Sequence, residues 1–166
     1  IKKKLSIYKN KIIIGISWKS YSKSLNKGDI KLESLKKVFG SDSYVFVNLQ
    51  YRSLNKEIKK LNSFLNNNII EFKDVDLFND LESLCAIIDS LDYVITIDNI
   101  NAQIAGALGI KTFVITPYNN ENFIFSNLNK EKCDWYPSMN VNYINTNNHS
   151  NYNKKLKNLL KKIKLK

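Results

Sequence analysis

Two short segments carry residue types that could bind an anion. Asp98-Asn99-Ile100-Asn101 ends a β-branched apolar run and leads into Ala102-Gln103-Ile104-Ala105-Gly106-Ala107-Leu108, a small-residue helical pattern closed by Gly109. A helix N-terminus presents unbonded backbone N–H groups and a partial positive charge, which together favour a phosphate. Asn99 and Asn101 can cap such a helix or donate to a ligand, and the Ala and Gly side chains leave its mouth open to close approach. Ser17-Trp18-Lys19-Ser20 ends a second apolar run, where Lys19 would add a full positive charge. Plainer readings stand beside these. Asp98-Asn99 can cap a helix with no ligand, the Ala/Gly helix can be close packing alone, and Trp18 can be a half-buried aromatic plug. His149 lies in an Asn-rich loop, Cys85 on an apolar stripe and Cys133 in an irregular segment. Their spacing supplies neither a zinc site nor a paired nucleophile.

Whether the two segments meet depends on the elements that carry them. Short apolar runs at 12–17, 44–49, 69–72, 93–97, 112–116 and 141–144 read as strands. Between them lie helical patterns. Ile30, Leu32, Leu35 and Val38 form one, closed by Gly40, and Ile58, Leu61, Phe64 and Leu65 form the next. Leu81, Leu84, Cys85, Ile88 and Leu91 make a stripe behind Asp80, a candidate N-cap. A Lys-rich helix is expected from Asn151, with Leu156, Leu159, Leu160 and Ile163 on one stripe. Alternation of this kind predicts an α/β fold, a Rossmann-like doubly wound parallel sheet of about six strands in the order 3-2-1-4-5-6. The order reverses between strands 1 and 4, so the loops after them diverge and open a crevice at the carboxyl ends. Those loops are the two segments above. Residues 1–10 read as a basic extension or linker, 11–150 as one Rossmann-like domain and 151–166 as a helix packing on it.

Composition narrows the function classes. The 166 residues hold 26 Lys+Arg against 15 Asp+Glu, a formal charge of +11, concentrated in Lys-rich ends. Such a balance attracts polyanions, but Arg52 is the single arginine, and neither an Arg cluster nor a base-stacking platform is legible. Nucleic acid is therefore disfavoured as a partner. No Gly-x-Gly-x-x-Gly follows the first strand and no Gly-Lys-Ser/Thr loop occurs, which disfavours dinucleotide-dependent dehydrogenases and P-loop NTPases. Two cysteines make no disulfide framework and fit a reducing compartment. No apolar run reaches the roughly 20 residues of a transmembrane helix, and no apolar signal core follows Ile1 to Leu5. A cytoplasmic location is the expectation. The absent initiator Met suggests a piece of a longer polypeptide.

The run from Leu81 to Gly109 resembles the donor-binding half of family 9 glycosyltransferases, heptosyltransferase-like enzymes whose domains also follow tetratricopeptide repeats in bacterial proteins. Gly15-Ile16-Ser17-Trp18-Lys19, Val47-Asn48-Leu49-Gln50 and Trp135-Tyr136-Pro137-Ser138-Met139 are similar to the repeat-linked subgroup. The resemblance covers most of residues 11–145 in order. It implies the C-terminal half of a two-domain GT-B fold, with a nucleotide diphosphate sugar as substrate, no resident cofactor and no metal. An N-terminal domain outside this chain would hold the acceptor and usually the catalytic base. By position, the resemblance implies that Asp98, Asn99, Ile100 and Asn101 meet the diphosphate, with Ser17 and Gln103 beside them. Trp18 and Lys19 would line the cleft, and Gln50, Phe72, Lys73 and Asp74 would lie towards the nucleoside. Three positions depart from the pattern. Gln103 replaces the family's His, Asn99 replaces its Thr, and Asn122-Phe123-Ile124-Phe125 lacks its Arg. Neither Gln nor Asn titrates near pH 7. A degenerate, non-catalytic interaction module beside helical repeats is the alternative implied by these departures.

Overall fold

The computed structural model describes residues 1–20, 30, 43–52, 55–64, 69–117, 123–125, 132–144 and 158. Its strands are β1 (Ile12–Ile16), β2 (Tyr44–Asn48), β3 (Ile69–Ile70), β4 (Tyr93–Ile97), β5 (Lys111–Pro117) and β6 (Met139–Ile144). They form one sheet in the order β3-β2-β1-β4-β5-β6, and every neighbouring pair is parallel. Ile14 of β1 sits between Phe46 of β2 and Tyr93 of β4, which fixes the register at the centre. Every residue of β1 and β4 is buried, because a parallel sheet is covered on both faces, and this produces the near-continuous apolar runs of the sequence.

Alternate residues divide the core into two layers. Ile12, Ile14, Ile16, Phe46, Ile95 and Ile97 pack with Trp18, Ile30, Ile58 and Leu61. Ile13, Val45, Val47 and Val94 pack on the other face with Leu84, Ile87, Ile88 and Leu91. The described helices are α1 (Lys2–Leu5), α2 (Asn55–Phe64), α3 (Leu81–Asp89) and α4 (Ile100–Ala107). The basic segment before β1 also lies on the sheet. Leu5 is buried in the second layer, and Ile1 and Tyr8 pack against it. The Asp80 side chain caps α3 by accepting from the Ser83 N–H at 2.9 Å. Helix α4 begins two residues before the expected Ala102, because the extended Asn99 caps it and accepts from the Asn101 N–H. Strand β6 begins at Met139, ahead of the expected 141, since the fully buried Met139 pairs with Thr112. The helix expected after Asp29 lies outside the described residues except for Ile30. The C-terminal helix lies outside them except for Asn158, which is helical.

Gly106 sets how closely the segment before β6 approaches α4. A Cβ there would stand 2.5 Å from Tyr136 Cγ and 2.9 Å from Met139 Cε. Cγ is the root of the ring, so it yields only if the whole packed side chain changes its χ1 or the backbone shifts. Gly106→Ala is expected to destabilise by about 1–3 kcal/mol, the usual cost of overpacking. Urea unfolding measures it, and an unchanged midpoint would refute the contact. Gly15→Ala is the comparison, because its new Cβ meets mainly the flexible tips of Leu91 and Leu49.

Candidate functional site

The loops after β1 and β4 meet at the reversal point of the sheet. Ser17 and Thr96 are both fully buried, and their hydroxyl oxygens lie 2.6 Å apart. Asn99 Nδ2 donates to Ser17 Oγ at 2.9 Å, and Thr96 Oγ1 lies within donating distance of Asn99 Oδ1 at 3.0 Å. One arrangement satisfies all three groups as a ring: Asn99 donates to Ser17, Ser17 to Thr96, and Thr96 back to Asn99, with the Ile97 carbonyl a second acceptor 3.0 Å from Thr96 Oγ1. Asn99 Oδ1 also accepts from the Asn101 N–H at 3.0 Å, so one amide of the first turn of α4 is already bonded. This ring fastens β1, β4 and the cap of α4 into one unit.

A second clamp holds the β1 loop to β2. Gln50 is 1% exposed, and its Oε1 accepts from the backbone N–H groups of Trp18 and Lys19, at 3.0 Å each. Its Nε2 donates to the Tyr51 carbonyl at 3.0 Å, and its own N–H donates to Asn48 Oδ1 at 2.9 Å. Asn101 is equally buried and donates from Nδ2 to the Leu49 carbonyl at 3.1 Å, tying α4 to the end of β2. Among the described residues, Asn101 Oδ1 has no hydrogen-bond partner.

One expectation needs correction, and two further site candidates have protein partners. Trp18 does not line the cleft. It is 2% exposed and packs in the first core layer, because Gln50 and the Ile30 N–H hold its backbone while the indole turns inward. Lys19 does not present an uncompensated charge, since its Nζ lies 3.0 Å from Glu57 Oε1 on α2. Gln103 does not stand open to a ligand at its carbonyl end, because Oε1 accepts from the Tyr136 hydroxyl at 3.0 Å. Thr96 and Glu57 were not identified from the sequence, and Tyr136 only as part of the Trp135-Tyr136-Pro137-Ser138-Met139 motif. A Thr inside an otherwise apolar strand ahead of Asp98-Asn99 is the signal that could have found Thr96.

Two neighbouring hollows open along this edge. A cleft of about 280 Å³ is bounded by Ser20, Asn99 and Ile100 on one side and by Tyr51, Leu77, Phe78 and Leu81 on the other. Ile100 is 46% exposed there, whereas Asp98 is buried. A larger hollow of about 390 Å³ lies beyond the ends of β2 and β3. Its walls include Gln50, Arg52, Glu71, Phe72, Lys73 and Asp76, but not Asp74. Tyr51, Leu77 and Phe78 belong to both, and the Tyr51 and Phe78 rings lie 5.2 Å apart between them. Arg52 adopts a left-handed backbone, φ 54°, and sets its guanidinium 5.4 Å from the Phe78 ring centre. Glu71 to Asn79 thus form most of the outer wall.

Asp76 organises that wall. Its carboxylate accepts from the Asn79 side chain and from the Phe78 and Asn79 N–H groups. Those bonds, the Asn79 side chain foremost, lower its pKa below the usual 3.8. A carboxyl whose folded pKa is lowered stabilises the fold above its unfolded value, and that support fades as the pH falls through the folded value. The 76–79 turn should therefore keep its order at neutral pH and lose it only in acid below about pH 3.8. Amide exchange at Phe78 and Asn79 across an acid titration checks this, and loosening already at pH 5–6 would contradict it.

Among the described residues no group of three or more His, Cys, Asp or Glu could hold a metal ion, and no helix is long and apolar enough to cross a membrane. No protein-family model matches the sequence. Protein FlbA of Caulobacter vibrioides is 29% identical over 128 residues, which cover 76% of this chain and 21% of that protein. The chain thus spans about a fifth of the length of this curated relative. Solved glycosyltransferases share its architecture. The structure of E. coli heptosyltransferase WaaC with ADP superposes with a TM-score of 0.61 at 8% identity, over 92% of this chain and 44% of that one. E. coli ADP-heptose LPS heptosyltransferase II gives 0.58 at 13% identity, over 97% and 51%. A family 9 glycosyl transferase from Veillonella parvula gives 0.53 at 13% identity, over 94% and 43%. The six-stranded parallel fold is common to all of them, and this chain accounts for about half or less of each.

Proposed function

We propose that this chain is the donor-binding domain of a GT-B glycosyltransferase, holding a nucleotide diphosphate sugar at the reversal point of its sheet. The observation that carries the reading is the open cleft at the capped start of α4, which shares the wall of Tyr51, Leu77 and Phe78 with the larger hollow beyond β2 and β3. Ligands of doubly wound sheets bind in this place, and the positive end of α4 suits a diphosphate. In this reading the diphosphate lies by Asn99 and Ile100, and the nucleoside enters the larger hollow near Lys73. The substrate serves without a resident cofactor. The bond from the sugar's anomeric carbon to the diphosphate oxygen breaks, and an acceptor oxygen bonds to that carbon. The acceptor and the base that takes its proton belong to another domain of the polypeptide, in a tetratricopeptide-repeat protein of the cytoplasm. Charge on the departing nucleoside diphosphate is stabilised by the helix terminus.

The pairing of Lys19 with Glu57 and of Gln103 with Tyr136 favours a second reading, a non-catalytic interaction module of the same fold. Calorimetry with ADP, GDP, UDP, CDP and dTDP separates the two. Binding of at least one is expected from the donor domain, and binding of none would remove it. Binding without any sugar transfer by the full-length polypeptide would leave the second reading standing.

A further inference from the structure

We infer that Lys4 is a positioning residue for the larger hollow, through which the segment before β1 sets the nucleoside-side wall. The inference rests on the donor-site reading and adds to it a component no sequence motif marks. Lys4 Nζ donates to the Glu71 carbonyl at 2.7 Å across 67 residues of chain, and it stands 4.7 Å over the centre of the Phe72 ring. Both partners line the hollow. The wall that starts with them has only two residues of strand β3 behind it, so the sheet holds its root weakly. Its far end is held by Tyr51 and Arg52 against Phe78, and by the Asp80 cap on α3. Lys4 supplies a fixing point at the near end. Its own place is set by Leu5, the neighbouring residue, which is buried under the sheet. A displacement of α1 therefore reaches Glu71 and Phe72 directly. The cleft at Asn99 shares with this wall only its far end, Leu77 and Phe78, and is lined by neither Glu71 nor Phe72, so the effect should fall on the nucleoside rather than on the diphosphate.

The test titrates wild type, Lys4→Arg and Lys4→Met with the best-binding nucleoside diphosphate and, in parallel, with inorganic pyrophosphate. Lys4→Met should weaken the nucleoside diphosphate roughly three- to tenfold, since it loses both the carbonyl bond and the ring contact. Pyrophosphate affinity should not change, and Lys4→Arg should restore binding to within about twofold, because guanidinium keeps both contacts. Unchanged affinity in Lys4→Met, or an equal loss for pyrophosphate, overturns the inference. Amide exchange over residues 71–79 of the unliganded protein is the second measurement. Faster exchange there in Lys4→Met, with α3 unaffected, supports the role, and equal exchange overturns it. If no nucleoside diphosphate binds wild type, the donor reading fails, and the exchange comparison alone decides whether Lys4 holds this wall.

Discussion

Gln50→Ala is expected to destabilise the domain by about 2–4 kcal/mol and to weaken nucleotide binding along with it. The side chain touches no proposed ligand atom from its acceptor end; the loss comes from what it holds. Oε1 is shared by the N–H groups of Trp18 and Lys19, and truncation strips both of their partner at once. Each buried donor left unpaired costs about 1–3 kcal/mol, and the Lys19 amide recovers part of this from water because it is only partly buried. Loss of the bond from Gln50 Nε2 to the Tyr51 carbonyl adds to the disturbance, and Tyr51 lines both hollows. Gln50→Glu separates the effects. It keeps the double acceptor, loses the donor to Tyr51, and carries a buried carboxyl that favours its neutral form. It should fall between wild type and Gln50→Ala at pH 7 and recover as the pH is lowered. Urea unfolding gives the stability, and a change below about 0.5 kcal/mol for Gln50→Ala would mean that the two N–H groups find other partners.

Much of the fold was legible because it depends on period and punctuation. Ile12 to Ile16 is a continuous apolar run and Tyr93 to Ile97 one broken only by Thr96, and strands covered on both faces need such runs. Right-handed crossovers then leave few orders for six parallel strands, and 3-2-1-4-5-6 is the observed one. Asp80 and Asn99 were readable as caps because a cap needs only its own helix. The site was legible to the same depth, as two loops brought to one edge. What those loops do with their side chains was not. The burial of Trp18 depends on Ile30, Ile58 and Leu61, far away in the chain. The pairing of Lys19 with Glu57 needs the first turn of α2 beside the end of β1. Gln103 meets Tyr136 only because Gly106 admits the ring against α4. Each is a contact between elements, and no periodicity within one element encodes it.

Asn99→Asp should leave the fold nearly intact and abolish most of the diphosphate affinity. Asp is as good an N-cap as Asn, and a negative charge at the positive end of a helix is favourable. The bond to the Asn101 N–H survives, and only the donation from Nδ2 to Ser17 is lost. Ser17 can turn its own proton towards the new carboxylate, so stability should change by less than about 1 kcal/mol. Binding has no such compensation. The carboxylate borders the 280 Å³ cleft, where a diphosphate would sit within a few ångströms of it. Two unit charges about 4 Å apart repel by about 4 kcal/mol near a protein surface, and screening by water and salt leaves a ten- to hundredfold loss as the expected outcome. Asn99→Ala reverses the order of the two effects. It removes the cap, costs about 0.5–2 kcal/mol of stability, and adds no repulsion. The unphosphorylated nucleoside is the control, because it carries no charge for the introduced carboxylate to repel. If Asn99→Asp binds a nucleoside diphosphate as tightly as wild type does, no anion approaches the cap of α4. The ring of Ser17, Thr96 and Asn99 would then be a fastening of the fold and nothing more.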